Sequence, residues 1–203
     1  MKVLVVYSTD SAPTGVTTIG AETLIETLLR KGVKVDALNL FGATRIPFML
    51  RLLYNKYDML CYFGHGTSDS LVGQLPVGLL QRLVDLGNKG LLDNKVVYTV
   101  ACLSMRKLGK AVRGVYYGSE YYMFVGYPDQ DHNYTKDFVD TWLQIPVYLV
   151  DHWGNWEKAL ELYKRKCSEY LKLYEKKLKV WSNADAYSYC MKMNRDYYKV
   201  HVR

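Results

Sequence analysis

The stretch Tyr57-Asp58-Met59-Leu60-Cys61-Tyr62-Phe63-Gly64-His65-Gly66 decides how this chain is read. Its apolar residues run without alternation, as in a strand buried on both faces of a parallel sheet. Where the run stops, two glycines flank a histidine. A second run, Lys95-Val96-Val97-Tyr98-Thr99-Val100, stops in the same way at Ala101-Cys102. In open α/β sheets ligands gather just beyond the carboxyl ends of the strands. A His and a Cys placed at two such ends form a candidate cysteine–histidine dyad.

Working outward, strand-like and helix-like segments alternate. Residues 2–7 read as a strand, 18–30 as a helix closed by Gly32, 33–40 as a strand and 47–54 as a short helix. Beyond His65 the pattern predicts a turn over 73–78, a helix over 77–86, the strand 95–100 and a helix over 105–112. Residues 115–117 and 121–125 read as one interrupted strand or two short ones. A loop over 126–133 and a helix over 134–150, interrupted by Pro146, lead to a long helix over 156–179 and an aromatic, Asn-rich tail. This order predicts an α/β fold: a three-layer sandwich with a central, mostly parallel sheet of about six strands and a helical C-terminal extension. Residues 1–155 read as the α/β domain, with 156–203 packed on it.

Composition narrows the class. The 203 residues are 49% apolar, enough for a sizeable core, yet no apolar run is long enough for a transmembrane helix. The chain opens directly on a strand-like run without a signal-peptide cleavage region, so a cytoplasmic location is expected. Cys61, Cys102, Cys167 and Cys190 are scattered and form no CxxC pair. That pattern suggests neither a disulfide framework nor a zinc ribbon, and it suits a reducing compartment. The net charge is +7, with the basic excess after Asp151. Glu161, Glu169 and Glu175 interleave with those lysines at helical spacing, which reads as a solvated helix face rather than a nucleic-acid surface.

The dyad has a definite chemistry. A thiolate attacks a carbonyl, a histidine handles the proton and backbone N–H groups stabilise the oxyanion. Gly66 lets the backbone approach a substrate closely, and the N–H of Cys102 is the second natural donor. Taken alone, His65 reads as a strand-end histidine bonded to backbone, and Cys102 as a small buried hydrophobe. Together at successive strand ends they favour the dyad. Cys61 and His65, four apart on a strand, lie too far from each other to share a metal. His132 reads as a surface-loop residue, and Cys167 and Cys190 as structural.

These two phrases resemble the caspase-like cysteine peptidases, and most closely the CHAT-type branch. Phe63-Gly64-His65-Gly66 stands for its Gly-His-Gly phrase, and Ala101-Cys102-Leu103-Ser104 for its Ala-Cys-x-Ser phrase. Weaker similarity runs through Gly114–Ser119, Asp137-Phe138, Pro146, Gly154 and Ala159-Leu160, so that the resemblance spans roughly residues 2–170. It implies a cofactor-free endopeptidase acting on a protein or peptide. Cys102 would be the nucleophile, His65 the general acid/base, and Gly66 and Cys102 the oxyanion donors. In such relatives the loop after strand one helps shape the pocket for the P1 residue. Here that loop carries Asp10, whose charge would favour Lys or Arg at P1. By charge alone Glu120 and Asp129 are equally eligible as pocket acids, and no motif selects among them. The same fold can also lose catalysis and persist as a protein-interaction module, and an activating protein partner is compatible with so short a chain.

A rival comes from another class. Thr14-Gly15-Val16-Thr17, after the first strand, resembles the phosphate-binding Thr-Gly-x-Thr of the flavodoxins, which would imply an FMN-binding protein. Extra residues separate Ser8 from Thr14, where flavodoxins keep the loop tight.

Overall fold

The computed structural model describes residues 1–9, 11–39, 43–74 and 80–203. Helices and strands alternate from the first residue: β1 (Lys2–Tyr7), α1 (Ala12–Arg30), β2 (Lys34–Leu38), α2 (Arg45–Tyr54) and β3 (Met59–Phe63). A short excursion follows in β4 (His65–Gly66), β5 (Ser70–Gln74) and β6 (Leu80–Asp85). The chain then returns through β7 (Lys95–Val100) and β8 (Gly114–Ser119) to α3 (Tyr134–Asp151), α4 (Trp156–Lys177), α5 (Ala184–Tyr197) and β9 (Tyr198–Val202). The central sheet has six strands in the order β2-β1-β3-β7-β8-β9. Its first five strands are parallel, and β9 closes the edge antiparallel to β8.

Alternation along each strand builds two cores from one sheet. Val3, Val5, Cys61, Phe63, Tyr98 and Val100 face the layer of α1, α3 and α4. Leu4, Val6, Leu60, Tyr62 and Val97 face α2 and the β5–β6 hairpin. Helices α1 and α2 fall on opposite faces because β1 lies between β2 and β3 and both crossovers keep the right-handed sense. The result is the predicted three-layer sandwich.

Several elements differ from their sequence reading, each for a local reason. Helix α1 begins at Ala12, six residues early by the prediction, because Ser11 and Thr14 form a reciprocal capping box and Pro13 occupies the first turn. The segment read as a helix over 77–86 contains β6, which pairs antiparallel with β5 and buries Leu83 and Val84; residues 77–79 lie outside the described residues. Here pairing overrides a helix-compatible pattern. The segment after Cys102 is a π-helical turn, Met105–Gly109, in which the Gly109 N–H donates to Ser104 O over 2.9 Å. Residues 121–125 pair with no strand among the described residues.

Pro146 does not interrupt α3. A proline there removes the N–H that would bond the Trp142 carbonyl. The hydroxyl of Tyr98, reaching across from β7, donates to that carbonyl at 2.7 Å instead. The same device explains part of the chain's tyrosine abundance. Tyr117 and Tyr134 likewise bury their rings and spend the hydroxyl on the carbonyls of Trp156 and Ser182.

Candidate active site

The ladder between β3 and β7 continues past their last pair, Phe63 with Val100. The Gly64 N–H donates to Val100 O at 3.1 Å. Two residues on, the backbone of Gly66 lies directly against Ala101 and Cys102. A Cβ on Gly66 would sit 2.5 Å from Cys102 O and 3.0 Å from Ala101 Cβ. No side chain fits there, so glycine is required for contact rather than for backbone freedom. The two phrases singled out in the sequence therefore meet at the backbone. The Tyr62 hydroxyl underpins the turn, 2.8 Å from His65 O and 2.6 Å from Val72 O. His65 is half-buried, and its Nε2 lies 3.4 Å from Ser11 Oγ, the N-cap of α1.

Cys102 is a free, partly buried thiol. The Met123 N–H donates to its Sγ at 3.4 Å, and Met123 O lies 3.9 Å from the sulfur. Burial pushes the thiol above its ordinary range, and the Met123 N–H pulls against that rise. Among the described residues, no backbone carbonyl accepts from the Cys102 N–H. The next residue, Leu103, has φ +55. A left-handed leucine costs about 1–2 kcal/mol. It is held by its own N–H on Tyr121 O at 2.8 Å and by the Arg106 N–H on its carbonyl at 3.0 Å. Beneath it, the buried hydroxyls of Thr99 and Ser104 meet at 2.9 Å, and the Tyr198 hydroxyl donates to Thr99 O at 2.6 Å.

The segment that carries Met123 is itself pinned from α5. The amide of Asn194, 1% exposed, accepts from Phe124 N–H at 2.9 Å and donates to Phe124 O at 2.8 Å. Sequence reasoning missed Asn194, Ser11 and Met123. Met123 acts through backbone and leaves no side-chain signal. Asn194 left one: a polar residue on the stripe of Met191 and Tyr198, which cannot be buried without hydrogen bonds.

Other candidates are used elsewhere. Asp10 lies outside the described residues. Glu120 pairs with Lys110 at 2.8 Å, and Asp129 accepts from the Asn183 amide at 2.6 Å. His132 pairs with buried Asp137 at 2.6 Å and stacks on Trp181 at 3.9 Å, a packed arrangement rather than the surface loop expected. Cys61 and Cys167 are buried; burial pushes Cys167 up to about 12 and Cys61 higher still. In the loop compared with flavodoxins, the Ser11 hydroxyl takes the Thr14 N–H and Pro13 has none. Gly15 already donates within the helix, to Ser11 O. Among the described residues a phosphate there would find one free first-turn amide, that of Ala12.

No group of three or more metal-ligating side chains occurs among the described residues, and none of their helices is long and apolar enough to cross a membrane. No family model matches the chain, and no curated protein matches it. Among solved structures it is similar to a Streptococcus pneumoniae TIGR4 flavodoxin at 13% identity and a TM-score of 0.31. The match covers 50% of this chain and 61% of that flavodoxin, so the chain spans less than two thirds of its length.

Proposed function

We propose that this chain is a cysteine endopeptidase of the caspase-like kind, with Cys102 as nucleophile and His65 as general acid/base. The observation that carries the reading is the contact of the Gly66 backbone with Cys102, which joins the ends of β3 and β7 into one site. With its thiol held up by burial, Cys102 rests protonated. His65 accepts the thiol proton as sulfur attacks the peptide carbonyl, and the Gly66 and Cys102 amides receive the developing oxyanion. Collapse of the intermediate passes that proton to the leaving amine and leaves a thioester. Water, deprotonated by His65, then hydrolyses the thioester and restores the thiol. The preference for a basic P1 residue rests on the charge of Asp10. Four free cysteines suit a reducing, cytoplasmic setting.

Iodoacetamide labelling of each cysteine, read by peptide mass spectrometry, tests the dyad without a known substrate. Near neutral pH, Cys102 reacts faster than Cys190, the other partly exposed thiol, and His65→Ala slows it by about tenfold or more. In His65→Ala the residual rate climbs only above the ordinary thiol range, about pH 8.5, because a raised thiol pKa moves the thiolate limb to higher pH. A Cys102 no faster than Cys190, or indifferent to His65, overturns the assignment and leaves a non-catalytic interaction module.

A further inference from the structure

The cations of α4 divide into two populations. On one side they are neutralised: Lys158 with Glu161, Arg165 with Glu169, and Lys166 with Asp140 and Glu169. Towards α5 they are not. Lys164 and Lys172 of α4, Lys192 of α5 and Lys199 of β9 form no ion pair among the described residues, and Arg195 pairs only with its neighbour Asp196. These positions are not scattered. Lys164, Ser168 and Lys172 recur every fourth residue along α4, and Ser188, Lys192 and Arg195 follow one face of α5, with Lys199 just beyond it in β9. The rows meet where the Arg195 guanidinium donates to Ser168 Oγ at 3.3 Å. Between them lies a groove of about 430 Å³ lined by Ser168, Leu171, Lys172, Ser188, Lys192 and Arg195, with Glu175 at its end.

The crowding of like charge is felt locally. Burial lowers the Lys164 pKa first, and the neighbouring Lys199 and Arg195 lower it further, against the opposing pull of Asp196 and Glu157. In the groove lining Lys172, Lys192 and Arg195 outnumber Glu175, and such a net excess of cations is a site for an anion. Its shape and composition say which kind. The rows extend over about two helical turns, ~12 Å, which matches a short extended chain rather than one small ion. The one guanidinium lining the groove, that of Arg195, is engaged by Asp196 and Ser168, so the groove offers the compact point charges of Lys172 and Lys192 rather than the forked geometry that selects phosphate. No aromatic ring lines it to stack a base.

We propose that the α4–α5 groove binds an extended acidic peptide segment of a protein partner. A fluorescein-labelled oligoglutamate is titrated with the full chain at low salt and followed by anisotropy, with an oligothymidylate of equal charge in parallel. Oligoglutamate binds the more tightly of the two, and its binding weakens as salt is added. Lys172→Glu with Lys192→Glu weakens it by about tenfold or more. Lys172→Gln with Lys192→Gln weakens it less, in the same direction. Lys158→Glu with Arg165→Glu, an equal charge change on the neutralised side, leaves it within about twofold. All four substituted side chains are exposed, and circular dichroism checks that each variant is folded. The proposal is overturned if oligoglutamate does not bind, if both reversals weaken it equally, or if oligothymidylate binds as tightly.

Discussion

Two histidines of this chain lie beyond the carboxyl ends of central-sheet strands, and their surroundings differ in kind. His132 is fixed from several sides: a 2.6 Å pair with Asp137, a stacked Trp181 and the edges of Tyr134 and Tyr174. Tyr174 also donates to the same Asp137 oxygen, at 2.9 Å. His65 meets Ser11 at 3.4 Å, on a two-residue strand whose glycine touches a cysteine. A histidine locked by short bonds and stacked rings is part of the architecture. The other is half-buried, and the residue after it lies against Cys102; it is the one proposed to exchange a proton. The comparison teaches that a strand-end His is weighed by what else shares its pocket, not by its having a partner.

The comparison breaks if the two residues fail to separate stability from reactivity. His132→Ala leaves buried Asp137 with, among the described residues, the Tyr174 hydroxyl as its remaining side-chain partner, and its urea midpoint should report a loss of about 2–4 kcal/mol. Labelling of Cys102 in the folded fraction should be unchanged. His65→Ala should move the midpoint by less than about 1 kcal/mol. The reverse pattern would make His65 the structural residue.

Gly66→Ala sharpens the point at the backbone. Its Cβ would be driven against Cys102 O, so β4 must move away from the Cys102 loop. A stability loss of about 1–3 kcal/mol is expected, with loss of the His65-dependent labelling of Cys102. A variant labelled like wild type would show that the contact is incidental. The effect of Asn194→Ala is smaller and further off. Unpairing both polar groups of Phe124 should cost about 1–3 kcal/mol, towards the lower end if water enters. It should also slow Cys102 by loosening the Met123 N–H from its sulfur, moving the labelling limb to higher pH. Unchanged labelling with lowered stability would confine Asn194 to the fold.

How much of this was legible in the sequence varies with the range of the interaction. The apolar stretches within 57–63 and 95–100 announced buried parallel strands because their residues do not alternate with polar ones. The flanking glycines and Ala101 marked where those strands stop. Pro146 read as a break, since the rule it violates is local and its remedy, Tyr98, lies on a distant strand. The segment around 80–85 read as a helix because its periodicity is ambiguous and only its partner β5 fixes it as extended. The aromatic tail after residue 180 gave no pattern that announced α5 or the sixth strand. Its role depends on Asn194 and Tyr198 reaching back to Phe124 and Thr99.

By itself the sequence determined the α/β alternation, the sheet's apolar strands and the two residues whose chemistry defines the candidate site. These follow from side-chain period and residue type, which are local properties. Only the tertiary structure decided that Gly66 meets Cys102, that Met123 faces its sulfur, that Pro146 is tolerated and that one side of α4 is left uncompensated in charge. Those facts depend on which backbone and side-chain groups come within hydrogen-bonding or ion-pair distance. Chain closure sets that distance, and residue order alone does not.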